Sequence, residues 1–279
     1  MPPCEQKSAS GIPTLPLAGR IAIITGSCGD GIGRSTALML GRLGCGVVLN
    51  YGTHRDGPVM ADRAQRVADV IHELGGKAVI CRADTRDQVQ TESLVRCALA
   101  LGGRLDFLVL NGGGDWQVND VSRISPEHWR STLAAEVDGV FLLLRCALPH
   151  LRKAGSGRIV LLGLNGAAKL DETEGMALDY CLGRASRAWL ATALARQDYA
   201  AGVRINIVEP GYVPGLGFSR AVELVRSESF TLFPPPAPLT CHHVARLVVL
   251  LCGAVGDHMS GSSLRIPTDI LPVDRKDPV

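Results

Sequence analysis

The residues with the clearest chemical potential stand near the amino end. Thr25-Gly26-Ser27-Cys28-Gly29-Asp30-Gly31-Ile32-Gly33 follows the apolar run Ile21-Ala22-Ile23-Ile24 and precedes a stretch of helical period. Glycines in such a loop let backbone N–H groups approach a pyrophosphate, and the helix start behind them adds a partial positive charge. A glycine string alone is also what an ordinary tight turn needs. Its place between a first strand and a first helix selects the phosphate-binding reading, and with it a dinucleotide ligand.

A loop of that kind works only at the carboxyl edge of a sheet, and the rest of the chain supplies one. From Gly19 onward short apolar runs alternate with longer stretches of helical period, the signature of a parallel sheet with crossover helices. The strands are expected at 21–24, 46–49, 78–80, 107–110, 158–162 and 204–208, with 263–266 as a last edge strand. Helices are expected at 35–43, 60–74, 88–101, 126–151, 179–201 and 242–252. Right-handed crossovers then give an α/β fold: a single Rossmann-type doubly wound parallel sheet with helices on both faces. Residues 1–18 mix Pro, Ser, Gly and Lys without an apolar core and read as a flexible tail, leaving 19–279 as one domain. Gly215 to Thr240, with Pro234-Pro235-Pro236 and Pro238, breaks the rhythm and reads as a surface insertion over the ligand crevice.

Composition narrows the function classes. Apolar residues make up 46% of the 279-residue chain and aromatics only 4%, which suits a sheet core of Val, Ile, Leu and Ala. A formal charge of +2, with scattered basic residues, leaves no phosphate-backbone surface, so a small-molecule substrate is expected and nucleic acid is not. No apolar run reaches the roughly 18 residues that span a bilayer, so no membrane partner is expected and the protein reads as cytoplasmic. Nine scattered cysteines, among them Cys45, Cys81, Cys97 and Cys146, behave as reduced core thiols. No metal site is expected: there is no CxxC pair, and His242-His243 would point about 100° apart on a helix.

Further motifs extend the reading. The loop matches both ends of a TGxxxGxG pattern with one additional residue between Gly26 and Gly31; Asp84-Thr85 follows the third strand, Asn111-Gly112-Gly113 the fourth, Tyr180 opens a helix, and Pro210-Gly211 follows the sixth strand. In these residues, from Gly19 to about Ile266, the chain resembles the short-chain dehydrogenase/reductase family. The resemblance implies that Gly26, Ser27, Gly31, Ile32 and Gly33 hold the pyrophosphate. It implies further that Asp84 and Thr85 lie at the adenine edge, Asn111, Gly112 and Gly113 on the ribose side, and Pro210, Gly211 and Val213 at the nicotinamide. A homodimer or homotetramer through the two long helices is implied as well.

Coenzyme preference turns on the end of the second strand, where an acid would accept both ribose hydroxyls of NAD. Asn50-Tyr51 stands there instead. Tyr51 leaves room for a 2′-phosphate that His54 and Arg55 can pair with, so NADP(H) is favoured and NAD(H) is the alternative. Asp30, in the loop, counts against the phosphate.

The family's catalytic set is a Tyr, a Lys four residues on, a Ser and an Asn, and three of those positions have changed. Tyr180 remains, and Arg184 stands at the Lys position, one helical turn on. Arg184 keeps a charge able to lower the tyrosine pKa but is a poor proton relay. Leu164 takes the serine position, with Asn165 next to it as a substitute donor or a turn residue, and Glu136 takes the Asn position. An inward Glu136 would pair with Arg184, whereas an outward one would be a solvated helix residue. Asp171-Glu172-Thr173-Glu174 reads as a solvated loop or as a welcome for a cationic substrate. The leading reading is an NADP(H)-dependent oxidoreductase acting on a carbonyl, imine or enone of a small apolar metabolite, with Tyr180 as acid or base and Phe218, Phe230 and Phe233 hinting at an apolar ligand. The alternatives are a dehydratase, isomerase or cyclase using Glu136 and Tyr180 for proton transfer, and a silent dinucleotide-binding protein.

Overall fold

A computed structural model describes residues 17–52, 57–114, 116–117, 120–167, 177–227 and 239–266. Among them seven parallel strands form one sheet: β1 (Ile21–Ile24), β2 (Gly46–Tyr51), β3 (Lys77–Arg82), β4 (Phe107–Leu110), β5 (Arg158–Leu162), β6 (Arg204–Pro210) and β7 (Ser263–Ile266). Their spatial order is β3-β2-β1-β4-β5-β6-β7. The direction reverses between β1 and β4, and in an open parallel sheet the ligand crevice lies outside the carboxyl ends at that switch point. β1, β4 and β5 are buried along their whole length, which is why each reads as an unbroken apolar run.

Helices α1 (Ile32–Arg42), α2 (Gly57–Glu73), α3 (Gln88–Gly102), α4 (Pro126–Leu133), α5 (Gly139–Ala154), α6 (Leu178–Asp198), α7 (Phe218–Ser227) and α8 (Cys241–Cys252) cover both faces. Leu38, Ile71, Val225 and Val248 of α1, α2, α7 and α8 share one core with the sheet, and Leu94, Leu144 and Ala191 of α3, α5 and α6 share the other. Leu17 is already part of the first core, so the folded unit begins before Gly19.

Two expectations need correction. The helix expected over 126–151 is two helices joined by a π-helical turn at Ala134–Asp138, which rotates the face presented by the following residues. The insertion expected at 215–240 opens with α7, whose Ala221, Val222 and Val225 are buried against α1. Phe218 packs against that core with Arg66 over its ring at 4.3 Å, so it is not a wall for a ligand. Residues 228–238, with Phe230 and Phe233, lie outside the described residues, as do His54, Arg55 and the acidic run 171–174.

The sheet's amino end is fastened by Asp106, a fully buried carboxylate. Arg104 donates to it at 2.6 and 2.8 Å, Arg20 at 2.7 Å and the Ile21 N–H at 2.9 Å, which joins the start of β1 to the start of β4. Burial alone would push its pKa up, but the arginines and the N–H more than offset this and hold it below the ordinary 3.8. A carboxylate with a depressed folded-state pKa contributes stability above its unfolded pKa and loses it as pH falls through the folded value. Asp106→Ala is therefore expected to destabilise the protein by roughly 3 kcal/mol at neutral pH, read by denaturant unfolding. The difference from wild type should shrink as pH drops below about 4.

Candidate active site

The glycine loop lies where the fold requires it. Gly26 takes a left-handed conformation at φ +64°, and a Cβ on Gly33 would stand 2.5 Å from both the Gly26 carbonyl and the Asn111 side chain. Only glycine permits that approach of α1 to the loop. The N-terminus of α1 at Gly31 carries no side-chain cap, so its first N–H groups remain available to an anion. A cavity of about 240 Å³ opens beside the loop, lined among others by Gly26, Gly29, Tyr51, Asp84, Gly112 and Arg184. An uncapped helix start above a glycine cradle, with a cavity reaching to Arg184, fits a dinucleotide.

Several expected ligand residues are engaged in building the cradle. Ser27 is fully buried and its hydroxyl accepts the Asn50 N–H at 2.9 Å, so its side chain braces the loop to β2 and does not face the cavity. Asn111 donates to the Thr25 carbonyl at 2.9 Å and the Gly26 carbonyl at 3.2 Å, locking β4 to the loop. Tyr51, Thr85, Gly112 and Gly113 line the cavity. Asp84 lines it too, gripped by Arg86 in a bidentate pair at 2.7 and 2.9 Å. Ile32 packs into the core, and Pro210 ends β6, with Gly211 hydrogen-bonded to Ile266 and Val213 packed on the core. Asp30, expected to repel a phosphate, is offset by Arg34 at 2.7 Å and Arg63 at 3.4 Å.

The changed catalytic positions come together in one buried charge cluster. The π-helical turn directs Glu136 inward, where it is fully buried. Its Oε2 lies 3.0 Å from Arg184 Nε and 2.8 Å from Arg187 Nη2, and its Oε1 accepts the Gly114 N–H at 2.8 Å. The packing is tight: a Cβ on Gly113 would fall 2.0 Å from Glu136 Oε1, and one on Gly183 would fall 2.3 Å from Glu136 Cβ. Arg184 Nη1 donates to the Leu162 carbonyl at 2.7 Å. Arg187 donates to the carbonyls of Gly112, Leu110, Leu162 and Glu136 at 2.7 to 3.3 Å, joining the carboxyl ends of β4 and β5. Burial and the neighbouring Arg184 charge lower the Arg187 pKa to about 10, so it stays protonated at neutral pH.

Glu136 is thus the inward, paired residue, and its oxygens are committed to two guanidiniums and an N–H. Arg187 was missed in the sequence; its i, i+3 spacing from Arg184 on α6, and i+7 from Tyr180, was the signal available.

Tyr180 stands over this cluster with Arg184 Cζ 4.6 Å from its ring centroid and Trp116 edge-on at 5.2 Å. Arg184 lowers the tyrosine pKa as expected, but the net direction is set by the surroundings. Burial raises the hydroxyl more than Arg184 lowers it, and Glu136 adds to the rise, so the pKa lies above 10. Leu164 is buried with Ala167 and Cys181, and Tyr180 packs against them, so the serine position is an apolar wall. Asn165 sits in the turn after β5 with its backbone N–H bonded to the Pro210 carbonyl at 2.9 Å.

Fold and cleft together define a Rossmann-type dinucleotide-binding protein, and comparison with known proteins gives the family. A short chain dehydrogenase family model matches residues 20–219. The chain is 29% identical over 249 residues to a cyclohexanol dehydrogenase from an Acinetobacter strain, covering 87% of this chain and 91% of that one. A dehydrogenase/reductase from Sinorhizobium meliloti superposes with a TM-score of 0.75 at 32% identity, over 91% of this chain and 95% of that chain. A short chain dehydrogenase from Burkholderia cenocepacia, in complex with NADP, superposes with a TM-score of 0.74 at 27% identity, over 90% and 97%. The chain belongs to the short-chain dehydrogenase/reductase family and is an NAD(P)-dependent oxidoreductase. Among the described residues no helix is long and apolar enough to cross a membrane.

The cluster yields a direct test. Glu136→Gln keeps the shape of the side chain but leaves two buried guanidiniums without a counter-charge, which should cost about 3–5 kcal/mol in denaturant unfolding. Replacing Glu136, Arg184 and Arg187 together by Leu, Leu and Met should recover most of that loss. A Glu136→Gln protein as stable as wild type would mean that charge does not hold the cluster.

Proposed function

We propose that the chain is an NADP(H)-dependent reductase acting on a carbonyl, imine or enone of a small apolar metabolite, with Tyr180 as the proton donor. The observation that carries this reading is the place of Tyr180 over a charge cluster that has replaced the family's lysine and asparagine, with Arg184 Cζ 4.6 Å from its ring centroid. A hydroxyl that stays protonated at neutral pH is an acid, not a base. When bound, the coenzyme would supply a hydride for the electrophilic carbon; Tyr180 would give its proton to the oxygen, nitrogen or carbon that gains the electron pair. Arg184 over the ring face stabilises the phenolate formed, which is then reprotonated from solvent.

The absent serine favours substrates that need little help at oxygen. Losing one oriented donor costs on the order of a hundredfold to a thousandfold in a reaction that builds an alkoxide. An iminium carries its own charge and an enone spreads it. The apolar wall of Leu164 and the edge of Trp116 suit an apolar substrate, in keeping with the cyclohexanol named for the Acinetobacter relative. For the coenzyme, Asn50-Tyr51 in place of an acid at the end of β2, the neutralised Asp30 and the NADP bound by the Burkholderia relative support NADP(H). Arg82, paired in register with Tyr51 at the strand ends, adds a cation on that side.

Two measurements test this. Fluorescence titration should give a lower Kd for NADPH than for NADH; clearly tighter NADH binding overturns the preference. With a panel of aldehydes, ketones, imines and enones, the wild type should oxidise NADPH, and Tyr180→Phe should lose roughly a hundredfold or more in kcat. NADPH bound but never oxidised across that panel would overturn the reductase reading.

The proposed partner of the chain is a second copy. Leu178, Leu182 and Trp189 form a stripe along one face of α6 while remaining exposed, Trp189 by 74%. Trp189→Asp should lower the mass measured by sedimentation equilibrium, and a wild type already monomeric at micromolar concentration would contradict the stripe's assignment.

A further inference from the structure

Asp30, in the lengthened glycine loop, makes contacts that a phosphate cradle does not need. Its carbonyl accepts the Leu216 N–H at 2.9 Å, and a Cβ on Gly215 would fall 2.9 Å from that same oxygen. Its carboxylate pairs with Arg34 Nη1 at 2.7 Å, and the other amino group of Arg34 donates to the Leu216 carbonyl. Leu216 is thereby held through both its N–H and its C=O. Arg34 is 2% exposed, whereas the Asp30 carboxylate it pairs with is 53% exposed. Phe218 extends the contact: its ring lies under Arg34 at 5.6 Å and Arg66 at 4.3 Å. The Cys241 thiol at the start of α8 also reaches the Asp30 carbonyl at 3.7 Å.

The two partners of this tie have different places in the fold. Asp30 and Arg34 flank the uncapped start of α1, where the coenzyme phosphates would bind. Gly215, Leu216 and Phe218 follow β6 and lead into α7, at the carboxyl edge where substrate enters an open parallel sheet. We propose that Asp30 and Arg34 are positioning residues that fasten the segment after β6 to the glycine loop, so that coenzyme binding and the order of that segment are linked. An anion settling on the α1 terminus fixes the loop, and through Arg34 it fixes Leu216; by linkage an ordered segment binds the coenzyme more tightly. The coenzyme half of this inference rests on the proposed function; the tie itself does not.

Hydrogen exchange separates the two. In the coenzyme-free protein, Arg34→Met should speed exchange of the Leu216 amide about tenfold or more, since the Arg34 hydrogen bond to the Leu216 carbonyl and the Arg34–Asp30 ion pair are both lost, while amides of β4 and β5 keep their wild-type rates. Arg34→Lys, which keeps the charge but not the fork, should fall between. Saturating NADPH should slow exchange over 213–227 in wild type and do so much less in Arg34→Met, and the variant's substrate KM should rise more than its kcat falls. Equal Leu216 exchange in wild type and Arg34→Met would overturn the tie. Equal NADPH protection in both proteins would overturn the linkage. If wild type binds no NADPH in a direct titration, the coenzyme reading and the linkage fall together, and the tie stands or falls on the coenzyme-free rates alone.

Discussion

One buried carboxylate organises the carboxyl edge of this sheet. Glu136 sits without solvent contact between two guanidiniums, and the cost of burying three charges is met only because each is also engaged by backbone. Arg187 is held by four carbonyls, Arg184 by Leu162, and Glu136 by the N–H of Gly114. Those partners come from the ends of β4 and β5, from the loop after β4 and from the turn before α5. The cluster therefore fixes the floor of the coenzyme cleft and the helix bearing Tyr180 relative to each other.

Its chemical consequence follows from burial and charge. In the family pattern a lysine and an asparagine would connect the tyrosine to solvent. Here a closed ion cluster occupies that place, and Leu164 supplies an apolar wall where a hydroxyl would stand. Tyr180 keeps a cation over its face but gains a low-polarity environment, and desolvation outweighs the cation. On the proposed reading, the residues that changed did not simply lose chemistry; they favour a tyrosine that holds its proton until a substrate draws it away.

Much of this was legible in the sequence. β1, β4 and β5 have the limits read from the apolar runs, because strands buried on both faces leave continuous apolar segments bounded by polar or glycine residues, and the largely exposed edge strand β7 also has its expected limits. The glycine loop was legible from its place between β1 and α1. The π-helical turn at Ala134–Asp138 was not, since one extra residue per turn hardly disturbs a helical apolar period. α7 was obscured by the prolines that follow it, although Ala221, Val222 and Val225 carry an apolar face. The direction of Glu136 depends on Arg184 and Arg187, some fifty residues away in the chain, and no local pattern encodes that pairing. Asp30 looked like a charge opposed to a phosphate because its partners lie on α1 and α2.

The protonation state of Tyr180 is where the cluster, the lost serine and the proposed chemistry meet. It can be read directly by labelling the four tyrosines with 13C at Cζ, assigning Tyr180 by its absence in Tyr180→Phe, and following the resonance with pH. A Tyr180 signal that remains in the phenol range through neutral pH and ionises only above 10 is the predicted result. A signal already in the phenolate range near pH 7 would contradict it and would restore an activated tyrosine of the ordinary family kind.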